Sequence, residues 1–145
     1  MMEVRIGRSF MGRLAHGVDL LEALNRAVRE RGIRLGRVEA IGAVQKARLG
    51  YYDQERQVYA YIEWPRPLEI TSLLGNISLK EGQPFVHAHL TLSDERGMVF
   101  GGHLSPGTPV FAGEFFIQEL EGASLTRGFD ATTGLPLWEL SPFPG

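Results

Sequence analysis

The sequence predicts an α+β fold: a mostly antiparallel β-sheet with one main flanking helix. Three observations predict it. Glycine makes up 18 of the 145 residues, against about 7% in average usage, and the glycines punctuate short apolar runs as turns separate strands. A single segment carries a helical period, so one helix is available to cover the sheet. With 43% hydrophobic residues, a chain of this length can build a core without disulfides or a structural metal. Residues 1–145 therefore read as one domain, with no internal repeat or linker. The absence of cysteine removes disulfide frameworks, thiolate zinc sites, iron–sulfur clusters and cysteine nucleophiles.

In chain order, the segment Met1–Gly17 is broken by Arg5, Arg8 and Arg13 before a signal-peptide core can form. No stretch approaches the roughly 20 apolar residues of a membrane span, so a cytoplasmic protein without membrane contact is expected. The helix is predicted from about Asp19 to Arg31, where Leu20, Leu21, Leu24, Ala27 and Val28 form one buried stripe. Asp19 with Glu22 three residues on makes a capping-box-like start, and Gly32 supplies a left-handed stop.

Strand-like runs follow at Arg34–Ala43, Gln45–Tyr52, Gln57–Glu63, Leu68–Leu79, Pro84–Ser93, Met98–Leu104, Pro109–Leu120 and Leu135–Leu140, each bounded by Gly, Pro, Asp or Asn. A meander of hairpins is the simplest topology for them. The helix covers one face of the sheet and leaves the other to solvent or a partner. Residues 141–145 read as a loose C-terminal tail.

The net charge of -2 and a pI near 6.1 argue against nucleic-acid binding by this chain alone, since such affinity comes mainly from Lys and Arg neutralising phosphates. The basic run from Arg26 to Arg37 is interleaved or flanked by Glu30 and Glu39 and reads as a solvated helix face.

Three of the four histidines fall within seventeen residues, between His87 and His103. Residues two apart on a strand project from one face about 6.6 Å apart, so His87 and His89 lie side by side. Val86, Ala88, Leu90 and Leu92 form the apolar even-numbered face of that strand, and Phe85, His87, His89, Thr91 and Ser93 the largely polar odd-numbered one. The next strand keeps the parity, with Met98, Phe100 and Leu104 even and His103 odd. For the apolar faces to coincide, even must pair with even across an odd-length loop such as Glu95-Arg96-Gly97 with Gly97 left-handed. His103 then stands opposite His89 with Cβ atoms about 5 Å apart.

Three imidazoles on one face suit zinc or another borderline divalent metal, with a fourth position for water or a carboxylate. The competing reading is a polar sheet face whose histidines bond to their neighbours. Glu114, which interrupts the apolar run Val110–Ile117, is the candidate fourth ligand or catalytic acid/base; an exposed position on an alternating strand explains it equally.

The run Phe85–Gly107, with His-x-His, Ser-Asp-Glu-x-Gly and Gly-Gly-His, resembles the plants-and-prokaryotes conserved (PPC) domain in its prokaryotic stand-alone form. Glu69-Ile-Thr-Ser-Leu-Leu-Gly75-Asn76, Ala40-Ile-Gly-Ala43 and Gly17-Val-Asp-Leu20 are similar to further segments of that family, so the resemblance covers nearly the whole chain. It implies a homotrimer. It also implies that His87, His89 and His103 are divalent-metal ligands, zinc being the expected metal, near the subunit boundaries. Plant relatives carry a basic AT-hook peptide and act as DNA-binding regulators; no Arg-Gly-Arg-Pro core occurs here. The element that engages the A·T minor groove is thus missing.

Arg127 and Asp130 match a family C-terminal pattern and are expected to pair with each other, locking the last strand or lining the metal cleft. Asn76 reads as a turn or bulge residue or a polar site residue, His16 as a surface residue, and Trp64 as packing at a sheet end or interface. Three functions follow. The first is a trimeric, metal-binding regulatory module that recognises a small ligand or a partner protein. The second is a small zinc hydrolase or lyase, and the third a DNA-binding protein, as the family's usual label suggests. The sequence leaves open whether the protein is an enzyme.

Overall fold

The structure is a computed structural model that describes residues 1–143. Of the expected tail, Ser141, Pro142 and Phe143 are exposed and outside any strand, and Pro144 and Gly145 lie outside the described residues. The chain starts with a strand that local pattern does not announce, β1 (Arg5–Leu14), whose arginines are exposed along a sheet edge. Helix α1 (Leu20–Glu30) follows as expected. The Glu22 backbone N–H donates to Asp19 Oδ1 at 3.1 Å, and Gly32 turns the chain out of the helix with φ 66°.

Strands β2 (Gly36–Val44), β3 (Ala47–Asp53), β4 (Val58–Trp64), β5 (Leu68–Lys80), β6 (Gln83–Ser93), β7 (Val99–Leu104) and β8 (Val110–Glu121) lie within a few residues of their expected positions. A second unannounced strand, β9 (Arg127–Asp130), pairs with β10 (Leu135–Trp138) in a separate two-stranded sheet. The other eight strands form one antiparallel sheet in the order β1-β8-β2-β5-β6-β7-β3-β4. The meander is therefore corrected. Only β3–β4, β5–β6 and β6–β7 are neighbouring hairpins, whereas β2 inserts between β8 and β5, and β3 pairs with β7. Pairings of that kind join segments far apart in the chain and leave no mark on either segment alone.

The helix lies on one face of the sheet, chiefly against β6. Leu20, Leu24 and Val28 are fully buried there with Val86, Ala88, Leu90 and Leu92, each contributing about 1.5–3 kcal/mol for its larger side chains. β7 pairs only with residues 89–93 of β6, so the first half of β6 lacks a strand on that side. Buried Asn25 of the helix supplies an acceptor at this gap, where its Oδ1 takes the Val86 N–H at 2.9 Å. Asp19 tethers the far loop, its Oδ2 accepting from the backbone N–H groups of Gly107 at 2.7 Å and Thr108 at 3.0 Å. Among the described residues, no helix is long and apolar enough to cross a membrane.

Candidate metal centre

The β6–β7 hairpin is built as its sequence requires. Asp94 Oδ1 accepts from the backbone N–H groups of Arg96 at 2.9 Å and Met98 at 3.0 Å, and Gly97 has φ 74°. This turn sets the register Ser93↔Val99, Leu92↔Phe100 and His89↔His103. All three imidazoles consequently share the face opposite the helix. Their ring centroids form a near-equilateral triangle, 5.5 Å for His87–His89, 5.0 Å for His87–His103 and 5.5 Å for His89–His103.

Each ring offers one nitrogen, and the three lie within 4.8 Å of one another, a grouping that could hold a metal ion. His87 and His103 are half-buried and His89 is exposed. Burial pushes the pKa of His87 down to about 4, aided by Arg127, His103 and His89. His103 is also lowered to about 4, again mainly by burial and then by His89, Arg127 and Lys80. Both rings are thus neutral near pH 7, the form that donates a lone pair to a metal. Moreover, His103 Nδ1 is buried without a hydrogen-bond partner among the described residues. An orphaned buried nitrogen is costly, and a cation bound by the cluster suits this donor set of imidazoles.

Neighbouring strands shape the rest of the site. Gly50 of β3 pairs with His103, and Tyr59 of β4 stacks obliquely on the His103 ring at 5.0 Å. A Cβ at position 50 would come within 3.0 Å of the Tyr59 ring, so the missing side chain lets the tyrosine reach the histidine. On the other side, Asn76 of β5 stands opposite His87. Its Oδ1 accepts from Arg127 Nη2 at 2.7 Å, while Arg127 Nε donates to Ser78 Oγ at 2.9 Å and Nη1 to the Pro136 carbonyl at 3.0 Å.

Arg127 reaches the site because the chain after β8 returns to the end of β5, where the Leu79 N–H donates to the Leu125 carbonyl at 2.7 Å. Its expected pairing with Asp130 is corrected. Asp130 Oδ1 instead accepts from the Thr133 backbone N–H at 2.8 Å and the Thr133 hydroxyl at 2.7 Å, closing the β9–β10 turn. Arg127 is left lining the cleft. Asn76 lies within a strand beside His87 rather than in a turn, and Tyr59 is a neighbour that sequence reasoning missed, because the β4–β3–β7 pairing brings it there.

Glu114 is not brought to the histidines within this chain. It is exposed on β8, three strands from β6 in the sheet order, or about 14 Å at the usual strand spacing. His16 is exposed, with Nδ1 2.8 Å from the Phe111 carbonyl, and Trp64 stacks on Phe100 with ring centroids 4.6 Å apart.

The sequence profile of the Plants and Prokaryotes Conserved (PCC) domain matches residues 1–121. The chain belongs to this family. Among solved structures, the chain is similar to a metal-containing protein from Archaeoglobus fulgidus, at 44% identity and a TM-score of 0.90, over 95% of this chain and 97% of that one. It is also similar to a PPC protein from Pyrococcus horikoshii, at 38% identity and a TM-score of 0.91, over 97% of each chain. A third PPC-like fold, from Bacteroides thetaiotaomicron, is 26% identical with a TM-score of 0.85 over 96% of this chain and 97% of that one, and bears the name of a candidate DNA-binding protein. Among curated proteins, the bifunctional protein GlmU of a Synechococcus strain is 32% identical over 92% of this chain. The chain spans about a fifth of the length of such curated relatives, 20% of this one. The three histidines lie inside the segment matched by the PCC profile, and Arg127 lies beyond it.

Proposed function

We propose that this PCC-domain protein binds a divalent metal, zinc in the first instance, through His87, His89 and His103. In this reading the loaded site serves a regulatory module that recognises a small ligand or a partner protein. The observation that carries it is the convergence of three imidazole nitrogens, with buried His103 Nδ1 otherwise unpartnered among the described residues. The likeness to a metal-containing archaeal protein supports it. A match that occupies a fifth of a bifunctional relative supports the idea of a module, since there the similar segment is one part of a longer chain. We take residues 1–145 to be one domain.

Elemental analysis of the purified protein, with His87→Ala, His89→Ala and His103→Ala variants alongside, tests the site. About one metal per chain is expected in the parent and far less in each variant. Unchanged metal in the His89→Ala protein would end the three-histidine assignment.

The module is further read as a homotrimer. Support comes from the sheet face turned away from the helix, where Met11, Ile41 and Leu74 are more than half exposed and Leu74 stands beside exposed His89. Light scattering should return three times the 16.1 kDa chain mass, and a stable monomer would remove this part of the proposal. The hydrolase or lyase reading gains nothing from Glu114, whose exposed position leaves no carboxylate among the described residues grouped with the histidines. DNA binding has the name of a structural neighbour in its favour and the negative net charge of this chain against it.

A further inference from the structure

We infer that the cleft beside His87 is a seat for a small anionic ligand, whose carboxylate or phosphate group is held between the metal centre and Arg127. The inference rests on the metal reading above and adds the chemical class of what the site receives. It starts from an imbalance of charge. Arg127 is half-buried, and its three side-chain hydrogen bonds go to neutral groups, Ser78 Oγ, Asn76 Oδ1 and the Pro136 carbonyl. Among the described residues it forms no ion pair with a carboxylate, although a desolvated charge is ordinarily paired.

The charged side chains acting on the His87 and His103 rings are also basic, Arg127 on both and Lys80 on His103. A divalent ion on the three imidazoles, added to one guanidinium, therefore gathers a large positive surplus that no carboxylate among the described residues is seen to offset. An oxyanion supplied by a ligand would offset it.

The guanidinium is placed to take such a group. Of its five N–H donors, three are committed to Ser78, Asn76 and Pro136, which leaves two, one on each terminal nitrogen. The bonds to Asn76 and Ser78 also fix the plane of the group, so little rotamer freedom is lost when an anion docks. Asn76, His87 and Arg127 line one open cleft of about 520 Å³, within the range of small-molecule sites. Its remaining wall is largely apolar, with Leu137, Trp138 and Phe143 among its residues. The ligand class is accordingly a small molecule with an anionic head and an apolar portion.

Calorimetric titration of the full chain, zinc-loaded and metal-free, with inorganic phosphate, acetate and phenyl phosphate tests this, zinc being measured on every sample. The zinc-loaded protein should bind one anion per chain. Arg127→Met should weaken that binding about tenfold or more, the scale of a hydrogen bond to a charged group, without losing zinc. Arg127→Lys, which keeps the charge, should fall between. Tighter binding of phosphate than of acetate assigns a phosphoryl head, and the reverse a carboxylate.

The inference fails if zinc-loaded protein binds neither ion in the millimolar range, or if Arg127→Met binds as the parent does. Phenyl phosphate no tighter than phosphate would remove the apolar part. If the parent takes up no zinc, the metal reading is what has failed. Phosphate binding to the metal-free parent and to Arg127→Met then decides the anion seat alone: weaker binding by the variant keeps it, and equal binding ends it.

Discussion

The two faces of β6 meet opposite demands within one strand. On the inner face, Val86, Ala88, Leu90 and Leu92 are buried under the helix, and their contribution is non-directional and roughly proportional to area. On the outer face, His87 and His89 join His103 in a cluster held by register rather than by packing, with one buried nitrogen unanswered. Adjacent residues are thus subject to different physics. A core position tolerates any side chain of suitable shape and size, whereas a ligand position tolerates only its own chemistry.

Substitutions at neighbouring positions sharpen this contrast. Leu90→Ala should cost about 2–5 kcal/mol, the usual range for a buried leucine, since Leu90 is 1% exposed; urea denaturation measures it. His89→Ala, one residue away and exposed, should change the stability of the metal-free protein by less than about 1 kcal/mol. A loss at His89 as large as that at Leu90 would break the contrast and make the cluster part of the structural core.

The acid limb of stability offers a second test. His87 and His103 are held near a pKa of about 4 in the folded chain, against about 6.5 when unfolded. Between those values the unfolded chain binds more protons, so the metal-free protein should lose stability as the pH falls from about 6.5 towards 4. Replacing both by Asn should flatten that limb, and denaturation curves at successive pH values would show it. The smallest effect is expected at Glu114. Because it is exposed and remote from the histidines, Glu114→Gln should leave metal content unchanged and stability within about 0.5 kcal/mol; lost metal would return Glu114 to the site.

Much of this was legible in the sequence because it is local. The helix with its Asp19 cap, the parity of β6 and the left-handed Gly97 together fix which histidine faces which. β1 was not legible: an edge strand is solvated, and in Arg5–Leu14 arginines and glycines interrupt the alternation that marks a half-buried one. The strand order was hidden for another reason, since β2 finds β8 and β5 through contacts between distant segments. The same holds for Tyr59 and Arg127, which come to the histidines by pairing of distant segments, whereas Asn76 faces His87 across the local β5–β6 hairpin. Asp130 misled because its proximity to Arg127 in sequence suggested an ion pair where a turn cap forms.

The β9–β10 hairpin has a consequence for how such proteins can diverge. Its two strands have four residues each, too few for independent stability. Side-chain bonds fasten it to the body, with Tyr52 donating to the Thr133 carbonyl at 2.6 Å and Gln57 Nε2 to the Thr132 carbonyl at 3.1 Å. The body matched by the PCC profile carries every imidazole of the cluster, while the guanidinium arrives on this appendage. Exchanging the hairpin would therefore alter the electrostatic company of the histidines without replacing the strands that hold them.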